Sequence, residues 1–165
     1  MRRIPLSQRK FKGCYALVDD EDYDQLAQWH WTKSTRGYAH RVGKKSDGNR
    51  RGRYISLHRQ ILGVTDPKVE IDHINHNTLD NRKSNLRICS RSQNMANQRL
   101  CSDSTSKVKG VSWYKPLMKW RVQIKVSGTK KHIGYFDSKY SAALAYNKAA
   151  KKHFGVFALL NEVKE

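Results

Sequence analysis

From Lys119 to Val126 apolar and polar residues alternate without a break. Trp120, Val122, Ile124 and Val126 fall on one face, and Lys119, Arg121, Gln123 and Lys125 on the other. That is the period of a half-buried antiparallel strand with a cationic outer face. Ser127-Gly128-Thr129 marks a turn, Lys131 to Phe136 reads as the next strand, and Lys109 to Tyr114 as the strand before. After Asp137-Ser138 the period becomes helical, with Ala142, Ala145, Tyr146, Ala149 and Phe154 on one side and Gly155 as C-cap. The alanines let such a helix lie close to a sheet. Residues 109–161 therefore predict a three-stranded antiparallel sheet packed on one helix.

Upstream the pattern is shorter-ranged. Val69 to His73 and Asn85 to Cys89 are strand candidates separated by a loop rich in Asn and Asp, and Ser90 caps a helix running through Asn94 to Gln98. Ser102 to Ser106, small and polar, reads as a linker. Residues 1–57 read as short strands and turns. Tyr15 to Val18, Tyr38 to Val42 and Arg53 to Leu57 are strand candidates, and Asp47-Gly48 is a hairpin turn between the last two. Asp19-Asp20-Glu21 caps a helix over Tyr23 to His30, where acids suit the N-terminal dipole. His58 to Leu62 is a short helix ended by Gly63. The fold class expected is α+β.

Charge narrows the function. The 165 residues carry 33 Lys and Arg against 14 Asp and Glu, a formal charge of +19. Five of the acids lie between Asp19 and Asp24, so the rest of the chain is more basic still; from Lys107 to Lys131 there are eight basic residues and no acid. A polyanion, nucleic acid first, is the expected partner. No apolar run approaches the roughly 20 residues of a membrane span, and Met1-Arg2-Arg3-Ile4-Pro5 does not open a secretion signal. Three cysteines (Cys14, Cys89, Cys101) without a CxxC pair speak against a disulfide framework and a four-cysteine zinc ribbon. The expected location is the cytoplasm, of a bacterium or a phage-infected host.

The strand–loop–strand–helix segment holds the candidate chemistry. Asp72-His73 ends one strand, Asn85 begins the next, and Asn94 sits on the helix. A hard divalent cation takes oxygen ligands, which the Asp72 carboxylate and the Asn94 side-chain carbonyl supply, with positions left for phosphate and water. His73 has the titration range of a general base at neutral pH, and Asn85 suits a supporting role. These residues resemble the signature of HNH endonucleases (ββα-metal fold). The flanking context agrees: Ile55 to Arg59, Val69 to Ile74, Leu79 to Arg87 and Arg91 to Asn94. The resemblance implies His73 as general base, Asp72 and Asn94 as ligands of Mg²⁺ or Mn²⁺, Asn85 as catalytic support, and His58 as a recurring family histidine. The family's paired zinc-binding cysteines are missing, so no structural zinc is expected.

Residues 109–161 resemble the APETALA/ethylene-response-factor (AP-two) DNA-binding domain. The resemblance rests on Lys109 to Trp113, Lys119 to Ile124, Ile133 to Phe136, Ala142 to Ala150 and Phe154 to Asn161. It implies a sheet lying in the major groove. On that face Lys109, Lys119, Lys125 and Lys130 are expected to contact phosphate. Arg121 and Gln123 are suited to base edges, and Ser112, Tyr114 and His132 are weaker contacts. The expected domains are an N-terminal extension (1–52), an HNH module (53–101), a linker (102–108) and an AP-two-like domain (109–161). In the extension, Arg50, Arg51 and Arg53 hint at a further DNA contact. The expected function is a site-directed, nicking endonuclease of the phage or mobile-element homing type. It would act on duplex DNA as a monomer or homodimer, with no membrane or protein partner. The alternatives are a sequence-specific DNA-binding regulator with an inactive nuclease module, or a repair or restriction enzyme.

Overall fold

The computed structural model describes residues 1–7, 13–44, 53–100 and 102–163. The turn expected at Asp47-Gly48, the contacts at Arg50 and Arg51, and Cys101 lie outside the described residues. The chain divides into two compact units, Met1–Cys89 and Ser90–Glu165. The module expected over 53–101 has its strands in the first unit and its helix in the second.

In the first unit, β1 (Arg2–Pro5) pairs antiparallel with β2 (Tyr15–Val18), placing Ile4 opposite Ala16. Helix α1 (Asp20–Ala27) follows, and its Leu26 joins Ile4, Leu6, Ala16, Val18, Trp31, Ala39 and Leu57 in the core. Trp31 is buried because its indole N–H is satisfied by the Leu26 carbonyl at 2.9 Å. A second sheet has the order β3 (Thr32–Lys33), β4 (Ala39–Val42), β5 (Tyr54–Ser56), and α2 (Leu57–Ile61) leaves it directly. The third pairing is β6 (Glu70–His73) with β7 (Leu86–Cys89). Asp19 occupies the N-cap position of α1, but its side chain makes no cap bond; its Oδ2 accepts the Lys83 backbone N–H at 2.7 Å instead. The acidic cluster therefore does two jobs. Asp20, Glu21 and Asp22 sit in the first turn of α1, and Glu21 and Asp22 also ion-pair with Lys83. Among the described residues, Cys14 and Cys89 are free thiols.

In the second unit, α3 (Arg91–Asn97) opens with a full capping box between Ser90 and Gln93. The sheet then follows in the order β10 (Thr129–Phe136), β9 (Lys119–Val126), β8 (Val111–Tyr114), all antiparallel. Helix α4 (Lys139–Phe154) covers one face. Val111, Val122 and Ile124 meet Ala142, Tyr146, Ala150 and Phe154 there, as the alternation and the alanines predict. Strand β8 starts at Val111 rather than Lys109, because Gly110 takes φ +74°. A Cβ at Gly110 would stand 2.1 Å from the Tyr146 ring. A bulge between His132 and Gly134 on β10 absorbs Ile133 and keeps His132 and Tyr135 on one face.

Among the described residues, no helix is long and apolar enough to cross a membrane.

Candidate functional site

His73 is the last residue of β6 and is buried (5% exposed). Its Nε2 lies 3.3 Å from the Asn81 Oδ1. The Asn81 amide nitrogen donates to the Thr78 carbonyl at 3.4 Å, which turns its oxygen toward the imidazole. A carbonyl oxygen only accepts, so Nε2 carries the proton and Nδ1 is the lone-pair nitrogen. Burial pushes the His73 pKa below 6.5, against the opposing pull of Asn81, Asp72 and Asp80. The ring is thus neutral at neutral pH, the form a general base needs.

Asn81 is itself held from far away in sequence. Its backbone N–H donates to the Leu17 carbonyl and Leu17 N–H donates to the Leu79 carbonyl, each at 2.8 Å, so the loop joins the edge of β2. Next to it, Asp80 accepts both nitrogens of the Arg82 fork (2.7 and 2.6 Å) and the Asn75 amide (2.8 Å). Arg82 above all holds the Asp80 carboxyl below its ordinary range. Asn85 ties the two ends of the same loop: its Oδ1 accepts the Asn75 N–H at 3.0 Å, and its Nδ2 donates to the Asp80 carbonyl at 2.7 Å. The loop that reads in sequence only as rich in Asn and Asp is a hydrogen-bonded scaffold, with Asp80, Asn81 and the adjoining Asn85 buried.

The rings around His73 complete the cluster. His58, the second residue of α2, has its ring centroid 5.3 Å from that of His73, and Tyr38 packs against both at 5.5 and 5.8 Å. Burial first, then the neighbouring His73 and Arg59, pushes His58 down to about 4. Its Nδ1 is buried and finds no hydrogen-bond partner among the described residues.

This has a consequence for stability. The unfolded chain protonates His58 near 6.5 and the folded protein only near 4. Its share of stability is therefore full above about 6.5 and is lost as pH falls through that window, by roughly 3 kcal/mol. His73 acts in the same sense. The urea midpoint is expected to drop between about pH 7 and pH 4.5, and His58→Asn is expected to flatten the drop. A midpoint constant across that range in the parent protein would contradict this.

Asp72 faces Arg87 across the β6–β7 pair, and Arg87 holds its Oδ2 through Nε at 2.8 Å and Nη2 at 2.6 Å. The carboxylate expected to bind a metal thus already has a cation against it. Asn94 lies on α3 in the second unit. Among the described residues, no group of three or more His, Cys, Asp and Glu is placed to hold a metal. The Asp72 carboxylate and the Asn94 amide carbonyl are each, by type, oxygen donors of the kind a hard divalent cation takes.

In the second unit, Lys119, Arg121, Gln123 and Lys125 occupy the β9 face opposite Val122 and Ile124. Register brings Ser112 and Tyr135 beside Arg121, His132 beside Gln123, Lys130 beside Lys125, and Tyr114 beside Lys119. All are side by side on the face that α4 leaves open. Arg121 stacks over Tyr114 at 5.3 Å and reaches the Ser112 hydroxyl at 3.5 Å, while Lys119 pairs with Asp137 at 3.1 Å. Lys109 departs from the expectation. Its ammonium donates to the carbonyls of Ala96 and Gln98 at the end of α3, the latter at 2.6 Å, and burial pushes its pKa down to about 8. Preceding the left-handed Gly110, it does not share the alternation of β8.

Residues 59–96 match the family model described as HNH endonuclease. The chain is 28% identical over 159 residues, 92% of its length and 77% of the relative's, to a protein named as an uncharacterized HNH endonuclease from Acanthamoeba polyphaga mimivirus. It is 29% identical over 106 residues, 64% of its length and 87% of the relative's, to protein 3.8 of Escherichia phage T7. No solved structure matches. The chain carries an HNH endonuclease domain and has a viral HNH endonuclease as a homologue.

Proposed function

We propose that the protein is a metal-dependent DNA endonuclease in which His73 is the general base. The observation that carries this reading is the His73–Asn81 hydrogen bond. It keeps the proton on Nε2, so that Nδ1 of a buried, neutral imidazole takes the proton of the attacking water. Asp72 and Asn94 are the proposed oxygen ligands of Mg²⁺ or Mn²⁺. When bound, the cation offsets charge on the phosphorane and on the departing 3′ oxygen. Asn85 keeps the loop closed around Asp80 and so holds Asn81 against the base. His58 borders the ring of His73 and stays neutral beside it.

The open face of the β8–β9–β10 sheet is the proposed reader, of the AP-two kind. Arg121 and Gln123, central on it, are the residues suited to bidentate base contacts. Lys119, Lys125 and Lys130 supply phosphate contacts. Ser112, Tyr114 and His132 flank them. One base per chain makes a nick the product of a single event, as in a homing enzyme of the nicking type.

Supercoiled plasmid carrying a library of targets tests the reading. Open-circular product is expected with Mg²⁺ or Mn²⁺ and none with chelator. The second reading, a DNA-binding regulator with an inactive nuclease module, is favoured by one feature, the Arg87 fork already seated on Asp72. Tight binding with intact plasmid in every metal would select it.

A further inference from the structure

The first unit contains an open groove of about 630 Å³ on the β3–β4–β5 sheet, running to His58. Among the described residues its walls carry Arg36, Tyr38, His40, Tyr54, Ser56 and His58, and no carboxylate. We propose that this groove seats the DNA strand beside the scissile phosphate, with Arg36 and the hydroxyl side chains on the backbone and the aromatic rings against the bases. The proposal rests on the nuclease reading above and gives the β3–β4–β5 sheet a substrate-binding part in it.

Three observations carry it. The first is chemical composition. One exposed guanidinium, the hydroxyls of Ser34, Thr35 and Ser56 and the rings of Tyr38, His40 and Tyr54 line one wall system. Cations and hydroxyls meet phosphate oxygens, and aromatic faces stack on bases with little regard to sequence. Tyr54 is 70% exposed, yet it is not loose: His40 packs edge-on against it at 4.5 Å. An aromatic ring held in solvent by a neighbour is a ready stacking platform.

The second is continuity with the proposed base. Tyr38 lines the groove and touches both His58 and His73. A strand lying along the groove is thereby led to the imidazole. The third is His58 itself, which lines the groove and has its ring centroid 5.3 Å from that of His73.

The groove is also shaped in advance. Ser34 and Tyr38 close the β3–β4 turn through the Ser34 N–H to the Tyr38 carbonyl at 2.8 Å and the Tyr38 N–H to the Ser34 hydroxyl at 3.0 Å. The Thr78 hydroxyl donates to the Gly37 carbonyl at 3.0 Å and ties the turn to the loop that holds Asn81. The same loop therefore positions the proposed base and the groove wall.

The test uses the full chain as His73→Ala, so that DNA stays intact, and a random-sequence duplex with a single-stranded extension, its thymines replaced by photoreactive 5-iodouracil. After irradiation, crosslinked peptides are mapped by mass spectrometry. Crosslinks at Tyr38 or Tyr54 are expected. Tyr54→Ala is expected to weaken binding about tenfold, with Tyr54→Phe restoring it, because a stacked base needs the ring and not the hydroxyl. Arg36→Ala is expected to lower the slope of log affinity against log salt by about one. Crosslinks confined to the β8–β10 sheet, with all three variants binding as the parent does, would overturn the proposal. The two readings fail separately. A parent protein that cuts nothing while the groove crosslinks loses the nuclease reading and keeps the groove; one that cuts while the groove stays silent keeps the nuclease and loses the groove.

Discussion

Replacing His73 with alanine is expected to slow cleavage by about 10²–10⁴-fold, the usual worth of a positioned general base, with DNA affinity little changed. The side chain is buried among protein groups, so it adds little contact area to a bound duplex. In the proposed role it supplies a lone pair on Nδ1, oriented by Asn81 and kept unprotonated by burial. Because the shift is downward, the acid limb of the rate profile should lie below the ordinary histidine value of 6.5, with a plateau through neutrality. Asn81→Leu, which removes the acceptor for Nε2–H, should lower the rate less than His73→Ala does. Cleavage by His73→Ala at the parent rate would remove the histidine from the mechanism.

Gly110→Ala is expected to be the most damaging single-methyl change in the second unit. Gly110 is left-handed at φ +74°, and the added carbon would meet the Tyr146 ring at 2.1 Å and the Gln123 carbonyl oxygen at 2.7 Å. Tyr146 is a core residue, 4% exposed, so the ring has nowhere to retreat. Strain in the backbone and overpacking together should cost about 3 kcal/mol or more. For a unit of this size that lowers the melting temperature by more than about 10 °C. Making Tyr146→Ala in the same chain should recover part of the loss, since the two changes share one contact. A melting temperature within a few degrees of the parent would show that the helix and sheet can part to admit a methyl group.

The elements that were plain in sequence are those whose faces see one environment each. Strand β9 alternates because α4 covers one side of it, and α4 repeats because a single stripe of it is buried. Strand β1 gave no such signal. Arg2 and Arg3 disguise it, and only Ile4 of its four residues is buried. Asp72, His73 and Asn85 were legible as candidates, as residue types at a spacing, but their surroundings were not. Asn81 is held by Leu17, Lys83 by Asp19, and His73 by a ring from Tyr38; each partner lies 35 or more residues away. Local pattern carries no information about such pairs. The Asp72–Arg87 pair is different in kind, because pairing the two strands across their loop already sets those positions opposite each other. Lys109 was misplaced by extending an alternation through a glycine that reverses the backbone.

Leu17 and Asp19 anchor the loop around Asn81, and Lys109 and the Leu159 N–H take up carbonyls at the end of α3. Cutting out residues 53–101 as a transplantable cassette would sever both sets of anchors at once. A chimaera meant to carry this chemistry to a new scaffold must bring the N-terminal hairpin with the loop and the C-terminal sheet with the helix.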